Sequence, residues 1–72
     1  MDKTFTELIK EAFRNKKRLT LQELYQYVIE HKEELEKFPF DHQHRVRATV
    51  YTLKNKGIIK RIGKSEYEYV SN

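Results

Sequence analysis

Residues 41 to 47, Asp-His-Gln-His-Arg-Val-Arg, gather one carboxylate, two imidazoles and two guanidinium groups just behind Pro39, the only proline in the chain. Three chemistries suit such a set: metal ligation by His42 and His44 with help from Asp41 and His31, proton transfer at an imidazole, or contact with an anion through Arg45 and Arg47. On a helix, two positions apart means about 200° apart, so His42 and His44 do not share a face, and no histidine pair stands at i, i+4. The expectation is therefore no metal. Acid/base catalysis lacks a pocket: Glu30, Glu33, Glu34 and Glu36, interspersed with Lys32 and Lys37, read as a solvated helix face with nothing to shift their pKa. No serine sits in a nucleophile turn, and Gly57 and Gly63 are the only glycines, too few for a phosphate-cradling loop. No catalytic residue, no cofactor and no enzyme activity are expected.

Anion contact remains, and the charge distribution favours it. The 72 residues carry 15 Lys and Arg against 11 Asp and Glu, a formal net charge of +4. Residues 1–40 are balanced at eight of each sign, whereas residues 41–72 hold seven basic and three acidic side chains, so the whole surplus, 7 minus 3, falls in the second part. A one-sided surplus points to a polyanion, although a basic half can also be a solubilising surface. The length allows one domain, spanning 1–72, near the lower limit for an unstapled apolar core. Without cysteine there is neither a disulfide framework nor a thiolate zinc site. No apolar run is long enough for a membrane span and MDKTFTEL does not have the order of a signal peptide, so the expected setting is intracellular, in cytoplasm or nucleoid, or in a nucleus if the source has one.

The elements that must position the basic groups can be read from capping and periodicity. Thr4 and Glu7 form a capping box ahead of Phe5, Leu8, Ile9, Ala12 and Phe13, which predicts a first helix from about Phe5 to Asn15. Thr20 and Glu23 repeat the device ahead of Leu21, Leu24, Tyr25 and Val28, and the run HKEELEKF, with Leu35 in register with Val28, extends this second helix to about Lys37. Arg18-Leu19-Thr20 between them can lie extended and pair with a later strand. Pro39 breaks the chain after Phe38, and Asp41 serves as N-cap of a third helix, about 41–56, whose buried stripe is Val46, Val50 and Leu53. Gly57 ends it. Ile58 to Ile62 and Glu66 to Val70 then read as the strands of a hairpin, 58–70, turned by Gly63-Lys64. The fold class is α+β: helix, short strand, helix, helix, hairpin.

That order resembles a small winged helix, the winged helix-turn-helix branch of DNA-binding folds: a three-helix core, a short strand and a C-terminal β-hairpin wing. The resemblance covers nearly the whole chain. LTLQELYQYVIE followed by FPF resembles the second helix of forkhead domains, and FTELIKEAF the opening helix shared by forkhead and linker-histone globular domains. VRATVYTLKNKGIIKRIGKSEYEYV is similar to the third helix and wing of bacterial winged helices, including those attached to restriction nucleases. The forkhead third-helix motif is absent. The resemblance implies that helix 3 enters the major groove and that the hairpin lies on the backbone.

With Val46, Val50 and Leu53 inward, the outward side of helix 3 is His44, Ala48, Tyr51 and Asn55, flanked by Arg45, Arg47 and Thr52; these are the candidate base-facing residues. Arg45 or Arg47 suits guanine, Asn55 adenine or a phosphate, and Ala48 allows close approach. Lys54, Lys60, Arg61 and Lys64, with Lys16, Lys17 and Arg18 at the end of helix 1, are the candidate backbone contacts; the latter group also offsets a helix dipole. His42 reads as a core-edge residue, and Tyr25, Tyr27, Tyr67 and Tyr69 as core and rim packing. Tyr51 suits either packing under the wing or contact with a partner. The expected partner is double-stranded DNA, bound by a monomeric regulator or accessory DNA-binding subunit. The competing reading is a winged-helix protein-interaction module or inhibitor that binds no DNA, favoured by the acidic helix 2 and the modest net charge.

Overall fold

Both capping boxes form, and they launch two of the three helices. The computed structural model describes residues 3–70. In α1 (Phe5–Asn15) the Thr4 hydroxyl accepts from the Glu7 N–H while the Glu7 carboxylate accepts from the Thr4 N–H; in α2 (Leu21–Glu30) Thr20 and Glu23 do the same. Each box satisfies two backbone donors that a helix N-terminus leaves without intrahelical partners. The third helix, α3 (His42–Asn55), buries Val46, Val50 and Leu53 along one stripe. It stops at Gly57, whose φ of +79° is a left-handed conformation that glycine adopts without steric cost.

The short segment β1 (Arg18–Thr20), with β2 (Ile59–Gly63) and β3 (Glu66–Tyr69), makes an antiparallel sheet in the order β1-β3-β2. The molecule is thus α+β, three helices against a three-stranded sheet, in a small winged-helix-like arrangement. Its core joins Leu8, Ile9, Ala12 and Phe13 of α1, Leu24, Tyr25 and Val28 of α2, the α3 stripe, Leu19 and Ile59, with Tyr67 and Tyr69 packed against it. No described helix is long and apolar enough to cross a membrane.

Three expectations are corrected. The second helix ends at Glu30 and not near Lys37; a 3₁₀ turn (Lys32–Glu34) follows, and Leu35 reaches the core from extended backbone bridged to Lys3. Continuing the helix would have stacked Glu30 beneath Glu34 and placed acidic groups at the negative end of the dipole, both unfavourable. Asp41 stands at the N-cap position of α3 but makes no side-chain cap bond. Its ψ of 38° differs from the extended value near 160° at Thr4 and Thr20, the backbone setting in which a cap side chain reaches the free N–H groups. The hairpin turn is centred on Lys64-Ser65, with Ser65 at φ 63°; Gly63 belongs to the strand, one residue past a bulge at Ile62.

The turn does not project freely. Leu21, the first residue of α2, donates its N–H to the Ser65 carbonyl at 2.9 Å, so a donor left over by the helix start anchors the tip of the hairpin to the body. Ion pairs tie the N-terminal end as well, Lys3 meeting Glu34 at 2.7 Å and also Glu11.

Candidate nucleic-acid interface

The exposed side of α3 is a strip without a carboxylate. His42–Asn55 contains no Asp or Glu, and His44, Arg45, Arg47, Ala48, Tyr51, Thr52, Lys54 and Asn55 are all exposed. Helix geometry puts Arg45 and Arg47 about 200° apart, and their neighbours differ accordingly. Arg45 faces the N-terminus of α1, lining a depression of about 310 Å³ with Lys3, Phe5, Leu35, Glu36, Lys37 and Pro39. Arg47 faces the sheet: with Leu21, Val50, Tyr51, Lys54 and Tyr67 it lines a cleft of about 150 Å³ between α3 and β3. Within this cleft one Arg47 NH group donates to the Tyr25 hydroxyl at 3.1 Å, and Lys54 Nζ stands 5.6 Å from the centre of the Tyr51 ring. Tyr51 is 62% exposed, so it is a wall of the cleft and not a core residue. Thr52 turns its hydroxyl back onto the Ala48 carbonyl at 3.1 Å, which reduces its capacity to read a base.

Sheet register divides the basic residues of the strands. Arg18 pairs with Glu68 across β1-β3 and Lys60 pairs with Glu68 across β3-β2, so these three side chains share one face. It is the outer face, since Leu19, Ile59 and Tyr67 occupy the one turned to the helices. There Glu68 accepts from Arg18 Nε at 2.8 Å and approaches Lys60 Nζ at 3.5 Å. The bond to Arg18, and then the charge of the two cations, holds the Glu68 carboxyl below the ordinary carboxylate range. Arg61 lies on the other face, opposite Tyr67 in register and two residues from buried Ile59, hence on the side of the α3 cleft. Its Nε donates to the Gly63 carbonyl at 3.1 Å, which orients the guanidinium beside the turn. Lys64, at that turn, is exposed.

The cluster at the end of α1 divides too. Lys16 is paired with Glu23 of α2, which lowers the Glu23 pKa, and Arg18 with Glu68, leaving Lys17 exposed without a carboxylate partner among the described residues. Of the anticipated backbone contacts, Lys16, Arg18 and Lys60 are therefore compensated by protein carboxylates, whereas Lys17, Lys54, Arg61 and Lys64 are not. No ion pair involves Arg45 or Arg47 among the described residues.

The two histidines separate as helix geometry requires. The His42 ring packs on Phe38, centroids 5.1 Å apart, and edge-on to Tyr25 at 6.5 Å, with its Nε2 buried and lacking a hydrogen-bond partner among the described residues; His44 is exposed. Among the described residues no group of three or more His, Asp or Glu side chains is placed to hold a metal.

Three features of this surface were not picked out from sequence. Tyr25, read there as packing, also restrains Arg47; Gln43 is exposed in the first turn of α3; and Phe40, between Pro39 and Asp41, is 97% exposed. A polar Gln at i+1 of a helix start and an aromatic ring following proline were visible signals, but neither says which way the side chain points. Compared with protein-family models, curated proteins and solved structures, the chain matches none.

Proposed function

We propose that this protein binds double-stranded DNA without catalysis, laying the exposed face of α3 in the major groove and the α3-facing side of the hairpin along the backbone, as a regulator or an accessory DNA-binding subunit. The observation that carries this reading is the exposed basic face of α3, a helix without a carboxylate, beside the unpaired Arg61 and Lys64. Lys3, Lys16, Arg18 and Lys60 have carboxylate partners, whereas Arg45, Arg47 and Lys54 of α3 and Arg61 and Lys64 of the hairpin have none among the described residues; Lys10, Arg14, Lys17, Lys32 and Lys37 on other surfaces have none either, but only α3 is a whole helix free of Asp and Glu. Folding leaves Arg47, Lys54, Arg61 and Lys64 to solvent around the α3–β3 cleft, where phosphates can replace counterions. Arg47, Lys54 and Arg61 are then backbone contacts around the cleft, and His44, Ala48 and Asn55 face the base edges, with exposed Gln43 about 100° round from His44, on the Arg47 side, at the start of the helix. Arg45 meets the duplex from the opposite flank.

Titration of a labelled duplex at low ionic strength tests this directly. Binding that weakens steeply with added salt is expected, and no association at tens of micromolar protein sinks the reading, since even non-specific binding falls in that range. The competing reading, a protein-interaction module, draws on the acidic surface where α2 ends and the 3₁₀ turn follows, with Glu30, Glu33 and Glu36 exposed and Ile29 42% exposed beside them. Resonance shifts confined to α2 on adding a protein partner, with α3 unmoved by DNA, support that alternative.

A further inference from the structure

We infer that Phe40 is a specificity-determining contact, an apolar finger that meets the C5-methyl group of a thymine in the major groove. The inference rests on the duplex reading above. Phe40 is the most exposed large apolar residue described: Ile29, Tyr51 and Ile62 are 42%, 62% and 39% exposed and keep part of their surface against the body, whereas Phe40 at 97% keeps almost none. It is not a failed core residue. The neighbouring aromatic, Phe38, is the one that packs, on His42, and Pro39 between them restricts the backbone so that the two rings do not exchange places freely. The fold therefore tucks in one ring of Phe-Pro-Phe and presents the other to solvent.

Position gives that exposure a use. Phe40 lies in the turn immediately ahead of His42, the first residue of α3, and the N-terminal residues of a recognition helix are those that reach base edges. Around it the exposed first turns of α3 supply Gln43, His44 and Arg45; the helix itself holds no acidic residue, and Asp41, exposed at its N-cap position, is the carboxylate adjacent to Phe40 in the chain. A phenyl ring offers no hydrogen bond, so among the groups on the major-groove floor its complement is the thymine methyl. Gln43, one turn along, has the paired donor and acceptor that match adenine N6 and N7. Together they favour a site containing A·T pairs, with the ring on the thymine and the amide on an adenine.

The full chain is first used to select a preferred duplex from a randomised pool at low salt. Each thymine of that duplex is then replaced in turn by deoxyuridine, which pairs identically but lacks the methyl. At one position the protein is expected to lose about fourfold in affinity, the worth of one buried methyl group. F40A is expected to bind the thymine duplex about tenfold more weakly and to be indifferent to the same replacement. Because the ring is exposed, F40A should melt with the parent protein, so a folding defect does not imitate the result. F40A binding as well as the parent overturns the inference and leaves the duplex reading standing. F40A binding weakly while the parent ignores every methyl also overturns it, placing the ring on sugar or stacked bases. Failure of the parent to bind any duplex removes both.

Discussion

Lys60 and Arg61 are adjacent in sequence and carry the same charge, yet the register of β2 on β3 sends them to opposite faces. Replacing each by alanine therefore separates charge in general from charge on the proposed interface. Suppose Arg47, Lys54, Arg61 and Lys64 each neutralise one phosphate. The slope of log affinity against log salt is then about −3.6, and a rise from about 50 to 200 mM salt weakens binding by about 150-fold. Removing Arg61 leaves about three contacts, a slope near −2.7 and a loss of about 40-fold over the same interval. Lys60 shares Glu68 with Arg18 at 3.5 Å on the outer face, so Lys60→Ala is expected to leave the slope within a few tenths of the parent's. Fluorescence anisotropy with one duplex at four salt concentrations reads both slopes. Equal reduction in the two variants would refute the division of the sheet into a paired outer face and an unpaired inner one; no change in either would refute the involvement of the hairpin.

Three further outcomes follow from the same structure. Tyr25→Phe removes the hydroxyl that restrains Arg47 and keeps the buried ring, so DNA affinity should drop roughly two- to fivefold while stability changes by about 1 kcal/mol; unaltered affinity would show that this 3.1 Å bond does not orient Arg47. Glu68, Glu11 and Glu23 all have carboxyl pKa values held below the ordinary 4.5, chiefly by hydrogen bonds to Arg18, Lys3 and Lys16 respectively. The unfolded chain therefore takes up protons first, so their stabilisation is present above about pH 5 and declines as pH falls through the depressed values, seen as a urea midpoint that drops between about pH 5 and pH 3; a flat midpoint would contradict these pairings. Gly57→Ala should cost about 1–2 kcal/mol from its left-handed φ alone, since no atom lies within 4 Å of the added methyl, whereas Gly63→Ala, whose methyl would meet Glu66 at an ordinary 3.6 Å, should cost less than about 1 kcal/mol by chemical denaturation.

Much of the architecture is legible in the sequence. The α1 boundaries, both capping boxes, the α3 stripe of Val46, Val50 and Leu53 and the stop at Gly57 all rest on patterns within a few residues, which the sequence encodes directly; the extended Arg18-Leu19-Thr20 is legible as a strand candidate, but its partner β3 lies about 50 positions away. The misread elements each involved a distant partner. Leu35 kept helical register with Val28 but is drawn into extended backbone beside Lys3, 32 positions earlier. The sequence suggests a turn at Gly63-Lys64, whereas a bulge at Ile62 shifts it by one to Lys64-Ser65 and Leu21 holds the Ser65 carbonyl in place.

The candidate surface divides along the same line. Which residues face outward on α3 follows from 100° per residue, and the outward set His44, Ala48, Tyr51 and Asn55 needs no tertiary contact to be listed. Which basic groups remain available does not follow, because compensation depends on what folding brings within about 4 Å. Glu68 lies 50 positions from Arg18 and silences it along with Lys60, Glu23 silences Lys16 from the next helix, and Arg61 is spared by a register that is set across the sheet. A chain carries its charges and its helix-forming periods in one dimension, but ion pairing and strand register are settled only when segments far apart in sequence meet.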